Sequence, residues 1–67
     1  MFNVGDKVLA SIGGGDYMPA TIVSTEGWFF VSSLEYAVEF DRHPVTTSGT
    51  LSHRRVTVNR GKVRAIN

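Results

Sequence analysis

Cysteine is missing from this chain of 67 residues, and proline occurs only twice. Without cysteine, neither a disulfide framework nor a thiolate metal site can stabilise the fold, and nothing in the sequence indicates an oxidising compartment. A chain of this length buries only about 60% of the surface that its unfolded form exposes, so the net stability from its core is small. The size therefore leaves self-association, as a homo-oligomer, open as a further source of stability.

Long hydrophobic runs are missing as well. No segment approaches the roughly 20 apolar residues that cross a bilayer. The N-terminal residues lack the charged-then-apolar order of a signal peptide, since Asp6 and Lys7 follow Met1 closely. We therefore expect a cytoplasmic protein without a membrane partner, formed by a single domain over residues 1–67.

Acidic residues are absent from the C-terminal part of the sequence. Residues 42–67 carry six basic residues and no acidic one, whereas residues 1–41 carry one lysine and six acidic residues; the resulting +6 and −5 give the net charge of +1. This asymmetry is typical of a surface that binds polyanions or of head-to-tail self-association. The alternative is an antiparallel sheet that places the basic part against the acidic part, so that the charges pair.

The sequence does contain a series of short strand signals separated by turn residues. No stretch keeps a 3.6-residue apolar period, so no α-helix longer than one turn is predicted. Five short strands joined mostly by tight turns predict an all-β fold, a small barrel that is closed or nearly closed, because closure removes exposed sheet edges. The strands are predicted at residues 7–11, 20–24, 36–40, 55–59 and 63–66, with a further apolar run at 28–31.

The side chains of these strands point alternately to the two sides of the sheet. Residues 41–52 hold the strongest turn signals, His43-Pro44 and Ser48-Gly49, and are predicted to form a long connection. Gly13-Gly14-Gly15 predicts a mobile hairpin loop, since no Lys-Ser/Thr and no helix follow it as they follow a phosphate-binding glycine loop. The apolar positions that the alternation turns inward predict a core of Val8, Ala10, Ile22, Tyr36, Val38, Phe40, Val56, Val58 and Val63.

Three segments of the first two-thirds of the chain share a known pattern. They are Val4-Gly5-Asp6-Lys7-Val8-Leu9-Ala10, Tyr17-Met18-Pro19-Ala20-Thr21-Ile22-Val23 and Tyr36-Ala37-Val38-Glu39-Phe40-Asp41. Together they resemble the Tudor family, and the resemblance implies a single SH3-like, Tudor-like, five-stranded small barrel. The positions of that family's cage for methylated lysine or arginine fall on Ile12, Met18, Phe40 and His43. One benzene ring and one histidine make a poor cage for a cation, so the resemblance implies the fold rather than methyl-mark recognition.

A second resemblance spans almost the whole chain. Three segments are similar to the plasmid-borne, trimethoprim-insensitive type II dihydrofolate reductases. They are Phe2-Asn3-Val4-Gly5-Asp6-Lys7-Val8, Glu35-Tyr36-Ala37-Val38-Glu39 and Arg64-Ala65-Ile66-Asn67. Those proteins are SH3-like barrels that form tetramers around one pore for folate and NADPH. The resemblance implies, as an alternative function, a homotetramer whose pore would be lined by Thr57, Val58 and Asn59. The glutamine and tyrosine of that family's pore strand are missing here, and Ala10 replaces its lysine, which argues against the same reaction.

Side chains for catalysis or metal binding are few. The two histidines, His43 and His53, are ten residues apart, and Asp41 near His43 is the closest approach to a catalytic or metal pair. A solvated surface histidine is the simpler interpretation of both. The sequence therefore predicts no catalytic residue, no metal and no cofactor, apart from NADPH under the reductase resemblance.

Exposed aromatic and basic side chains carry the functional prediction. Trp28, Phe29 and Phe30 cannot all face the core, since alternate side chains of a strand point to opposite faces. Small barrels that bind RNA or DNA combine stacking aromatics with a basic stripe. An exposed Arg55–Glu39 or Arg55–Asp41 pair is the alternative, and such a pair contributes only about 0–1 kcal/mol. The sequence predicts a non-catalytic module that binds a protein segment or nucleic acid through Tyr17, Trp28, Phe30, Arg54, Arg55, Arg60, Lys62 and Arg64.

Overall fold

Residues 2–12, 15–26 and 31–66 are described by the structure, a computed structural model. The predictions for Gly13 and Gly14 and for the aromatic residues 28–30 fall outside these residues. The predicted all-β class is confirmed for the described part of the chain. Its elements are the strands β1 (Lys7–Ala10), β2 (Met18–Ser24), β3 (Glu35–Phe40), β4 (Val45–Thr46), β5 (Gly49–Thr50), β6 (Arg55–Asn59) and β7 (Val63–Ala65), and a 3-10 helix (Arg60–Lys62).

Five of the strands form one antiparallel sheet in the order β6-β3-β2-β1-β7, and β4 pairs with β5 in a separate hairpin. The first three strands follow one another as a meander, and β7 returns to lie beside β1. The register of β2 against β3 shifts between Ile22 and Ser24. An irregularity of this kind bends a strand and increases its twist, which allows the sheet to curl around a core.

The core lies on the inner side of this sheet. Eight of the predicted core residues are buried, and Val56 is the exception: it is half-buried and packs against the others. Among the described residues its strand, β6, is an edge of the sheet, and Val56 has a neighbouring strand on one side only. Ala20 and Ala37 are buried in addition, the latter on the outer side of β3, where it is flanked by Thr57 and Ser24.

The predicted long connection over residues 41–52 contains regular structure that the sequence analysis missed. Pro44 is fully buried at its start, and its carbonyl oxygen accepts a hydrogen bond from the Leu51 N–H at 2.8 Å. Between them lies the β4–β5 hairpin, where Thr46 Oγ1 donates to the carbonyl oxygen of Gly49 at 2.9 Å. Gly49 has a φ of +118°, a backbone conformation that favours glycine. The turn signals of this segment therefore belong to a hairpin.

Candidate binding surface

A row of side chains crosses the outer side of the sheet. In register across β1, β2, β3 and β6, these are Lys7, Thr21, Glu39 and Arg55. Arg55 Nε lies 3.3 Å from a Glu39 carboxylate oxygen. This is the cross-strand pairing that the alternative interpretation of the charge asymmetry predicts. It occupies one basic residue of the predicted binding surface with an acidic partner.

Asp41, directly after β3, has two basic neighbours. Lys7 Nζ lies 2.7 Å from its carboxylate, so the only lysine of residues 1–41 pairs with an acid. Arg54 Nη1 donates to the backbone carbonyl oxygen of Asp41 at 3.4 Å. The carboxylate of Asp41 is therefore neutralised by Lys7, and the charge of Arg54 remains at the surface beside it.

The side chain of Arg60 is held by the fold itself. Its Nε donates to the carbonyl oxygen of Ser33 at 2.7 Å, and its Nη2 donates to that of Thr25 at 2.6 Å. Its guanidinium also lies 4.1 Å from the centroid of the Tyr36 ring. These contacts direct Arg60 to intramolecular partners, and its place in a ligand-binding surface stays a prediction.

Tyr17 and Arg64, both singled out from the sequence, lie in contact. The Arg64 guanidinium carbon is 4.0 Å from the centroid of the Tyr17 ring, a cation–π geometry. Strand pairing brings them together, because Leu9 pairs with both Arg64 and Pro19, and Pro19 is two residues from Tyr17. Lys62 is exposed two residues before Arg64. The structure thus places one aromatic and two basic residues of the prediction in one region.

An open cleft of about 450 Å³ is lined by Met18, Pro19, Asp41 and Arg42, and Tyr17 directly precedes its first lining residue in the chain. The Asp41 N–H donates to the carbonyl oxygen of Pro19 at 3.1 Å, which fixes the two walls of the cleft relative to each other. Arg42 was not among the site residues predicted from the sequence. We call the surface formed by Tyr17, Met18, Pro19, Asp41, Arg42 and Arg64 the Tyr17 surface.

Three residues were assigned to a nucleotide-binding pore under the reductase resemblance. The side chain of Val58 is buried in the core, with 4% of its surface exposed. Thr57 is half-buried and Asn59 is exposed, and both lie on the outer side of β6. Thr57 and Asn59 are therefore the two of the three whose side chains a ligand can reach, and nucleotide binding stays a prediction.

The positions carried over from the Tudor cage do not form a cage: their one benzene ring, that of Phe40, is not exposed, and Met18 alone of them lines the cleft described above. Phe40 is buried in the core, and Ile12 and Met18 pack against that core. His43 is exposed, and its Nδ1 lies 3.1 Å from the carbonyl oxygen of Leu51. Among residues 2–12, 15–26 and 31–66, no three His, Asp or Glu side chains cluster as metal ligands. In the same residues, no helix has the length and apolar character needed to cross a membrane.

Trp28 and Phe30 lie outside the described residues, so their part in the predicted surface stays a prediction. A scan against protein-family models finds no match to this chain, and searches of curated proteins and of solved structures find none either.

Proposed function

We propose that this protein is a small SH3-like, Tudor-like barrel that acts as a non-catalytic binding module for single-stranded nucleic acid. The observation that carries the proposal is the Arg64 guanidinium stacked on the Tyr17 ring at 4.0 Å, with an open cleft whose lining begins at the next residue, Met18. The barrel interpretation is supported by the return of β7 to β1 and by the register shift in β2, since both curl a small sheet around one core.

The Tyr17 ring and the Arg64 guanidinium are suited to stacking with nucleic-acid bases. Unpaired bases stack on aromatic rings and on the planar guanidinium of arginine, and each such contact contributes about 1–3 kcal/mol. The Tyr17–Arg64 pair supplies both kinds of plane at one place, and Arg64 is exposed. Bases are available for this contact in a single strand and not in a duplex, which is why single strands are the proposed ligand class.

Exposed basic side chains near the Tyr17 surface are suited to binding phosphates. Arg42, Lys62 and Arg64 are exposed, and none has an acidic partner within 4.0 Å among the described residues. Arg54 adds a further positive charge beside Asp41, whose carboxylate is already paired with Lys7. Arg42 lines the cleft and can contact a phosphate while a base occupies the apolar wall formed by Met18 and Pro19. Arg64, which contacts Tyr17 directly before Met18, can bind a neighbouring phosphate.

The test is fluorescence anisotropy with labelled single-stranded RNA and DNA of about ten nucleotides, the length that one small barrel covers. We expect binding that Tyr17→Leu weakens roughly tenfold, because leucine keeps apolar volume and loses the ring. The same sequence as a duplex is expected to bind more weakly. No binding at low salt by a folded sample would overturn the proposal.

A pair of charge-matched variants distinguishes binding at the Tyr17 surface from attraction by the net charge of the protein. Arg64→Gln and Leu34→Glu each lower the net charge by one. Leu34 is 68% exposed and precedes β3, so it lies at the opposite end of that strand from Asp41. We expect Arg64→Gln to weaken binding and Leu34→Glu to leave it nearly unchanged. Equal losses would mean that charge alone attracts the oligonucleotide. Binding of a polyglutamate peptide that Arg64→Gln abolishes, in place of oligonucleotide binding, would identify a protein segment as the ligand of this surface.

A further inference from the structure

In the part of the chain that the structure describes, strand β6 forms an open edge of the sheet. It is five residues long, stands first in the strand order, and within the described part of the chain pairs only with β3. The other edge strand, β7, has three residues. An edge of this kind presents a row of unpaired N–H and C=O groups to any extended segment that approaches it.

The backbone register decides which groups face the open side. The Phe40 N–H donates to the Arg54 carbonyl and the Arg60 N–H donates to the Leu34 carbonyl, each at 2.9 Å. Hydrogen-bonded pairs recur at every second residue of an antiparallel ladder. Val56 and Val58 therefore bond to β3. The backbone groups that face away from the sheet are those of Arg55, Thr57 and Asn59.

The positive charge at the edge of β6 favours an acidic segment as its ligand. Arg54 and Arg55 stand at the beginning of this edge, both exposed. Arg55 is exposed and pairs with the half-buried Glu39 at 3.3 Å. A pair at the protein surface is worth about 0–1 kcal/mol, so an incoming carboxylate can compete for the arginine at little cost. The first half of the edge is thus basic, and no acidic residue occurs in β6.

A second copy of this strand is disfavoured by charge in two of the possible registers. Antiparallel pairing centred on Thr57 would set Arg54 of one copy opposite Arg60 of the other, and parallel pairing in register would set Arg55 beside Arg55. Like charges placed directly opposite each other destabilise a strand pair. In these two registers like charges disfavour a second copy, whereas a strand of opposite charge would be attracted to the same positions.

We propose that the edge of β6 binds an extended acidic peptide segment of another protein, which adds to the sheet as a sixth strand. Its backbone pairs with Arg55, Thr57 and Asn59. Alternate side chains of the added strand meet two different environments: carboxylates face Arg55 on the outer side, and apolar side chains lie next to Val56, which is half-buried on the inner side. The recognised segment alternates acidic and β-branched residues over about five positions, the length of β6.

The first experiment uses an acetylated peptide of alternating glutamate and valine, about six residues long. Its binding to the ¹⁵N-labelled protein is followed by NMR and by amide hydrogen exchange. In the free protein we expect the amides of Val56 and Val58 to exchange slowly, because they bond to β3, and that of Thr57 to exchange fast. We expect the peptide to slow exchange of the Thr57 amide with little change at Val56. A peptide with N-methyl groups on alternate amides keeps its charge and is expected not to bind when the methylated amides face β6.

Two substitutions test the edge from the side of the protein. Thr57→Pro removes one outward N–H without removing a bond to β3, and proline is tolerated on edges for this reason. We expect it to weaken peptide binding roughly tenfold, which corresponds to about 1.4 kcal/mol. Arg55→Gln is expected to weaken binding roughly threefold. Its charge-matched control is Val4→Glu in the turn before β1, where the side chain is 63% exposed, and this change is expected to leave binding unchanged.

Other outcomes of these experiments would point to a different mode of binding or overturn the proposal. The N-methyl groups can be placed on the alternate amides that face β6 or on those that face away from it. Equal binding of these two peptides would show that charge, and not strand addition, holds the peptide. Protection of the Thr57 amide without peptide, increasing with protein concentration, would show that a second copy occupies the edge. Absence of any peptide binding by the folded protein would overturn the proposal. If Thr57→Pro fails to fold, the N-methylated peptides decide the question with the unaltered chain.

Discussion

The Arg60 guanidinium lies 4.1 Å from the centroid of the Tyr36 ring, and the same group donates to the carbonyl oxygens of Thr25 and Ser33. Tyr36 belongs to the core, with 4% of its surface exposed. One cationic side chain therefore covers the Tyr36 ring at the border of the core and hydrogen-bonds to both ends of the connection between β2 and β3. Its position directly after β6 makes this possible, since the Arg60 N–H bonds to the Leu34 carbonyl at 2.9 Å.

Arg60→Lys is expected to destabilise the protein although it keeps the charge. Lysine lacks the planar fork that donates to two carbonyl groups at once and stacks on a ring. We expect the free energy of unfolding to fall by about 2 kcal/mol, measured by urea denaturation. Arg42→Lys, at an exposed position, is the control and is expected to change stability by less than about 0.5 kcal/mol. Equal effects of the two changes would contradict a structural role for Arg60.

Two glycines that differ in backbone conformation give a second prediction. Gly49 has a φ of +118°, whereas a Cβ added at Gly15 would meet only ordinary contacts, at 3.7 Å from the Val45 carbonyl oxygen and 3.8 Å from that of Ile12. Gly49→Ala is expected to cost about 1–2 kcal/mol of unfolding free energy through backbone strain. Gly15→Ala is expected to be neutral or slightly stabilising. A neutral Gly49→Ala would show that the hairpin does not need this conformation.

The Lys7–Asp41 pair is short but exposed, with side-chain exposures of 52% and 44%. We expect a double-mutant cycle of Lys7→Gln and Asp41→Asn to give a coupling of about 0.2–1 kcal/mol. The coupling should shrink in about 1 M salt, where screening acts within roughly 3 Å. A coupling above about 2 kcal/mol that is insensitive to salt would mean that this pair is shielded from solvent in a way that its exposure does not indicate.

Oligonucleotide binding at the Tyr17 surface is expected to depend on salt. If Arg42, Lys62 and Arg64 each neutralise one phosphate of a single strand, a plot of log K against log salt concentration has a slope of about −2. Arg64→Gln is expected to make that slope shallower by about 0.7, and Leu34→Glu is expected to leave it unchanged. An affinity that stays flat across the salt range would remove the phosphate contacts from the proposal.

The sequence predicts the core well because alternation within a strand is a local property. Val8, Ile22 and Val38 follow from their own neighbours along the chain, and all are buried. Whether a strand lies at an edge is not local, so the half-burial of Val56 could not be predicted. The hairpin over residues 45–50 was missed for a different reason. Pro44 and Gly49 indicate turns, and the two short strands next to these residues carry little apolar pattern of their own.

The candidate site was predictable only in part. Tyr17 and Arg64 were both selected, but their contact depends on the pairing of β1 with β2 and with β7. Arg42 was missed because the cleft exists only where the beginning of β2 meets the end of β3. Arg60 was assigned to a binding surface because a charge in a sequence indicates exposure. Its intramolecular contacts become visible only when Thr25, Ser33 and Tyr36 are placed around it.

The pairing of β7 with β1 has a consequence for how the chain folds. Val8 lies opposite Ala65, so the first strand of the sheet gains its second neighbour only from residues near the other end of the sequence. Contacts between such distant residues require a large loop to close before they stabilise anything, and they slow folding accordingly. The central strands β2 and β3, which are joined by a much shorter connection, can pair earlier. We therefore expect refolding on a timescale of roughly milliseconds to seconds, with β7 among the last elements to dock.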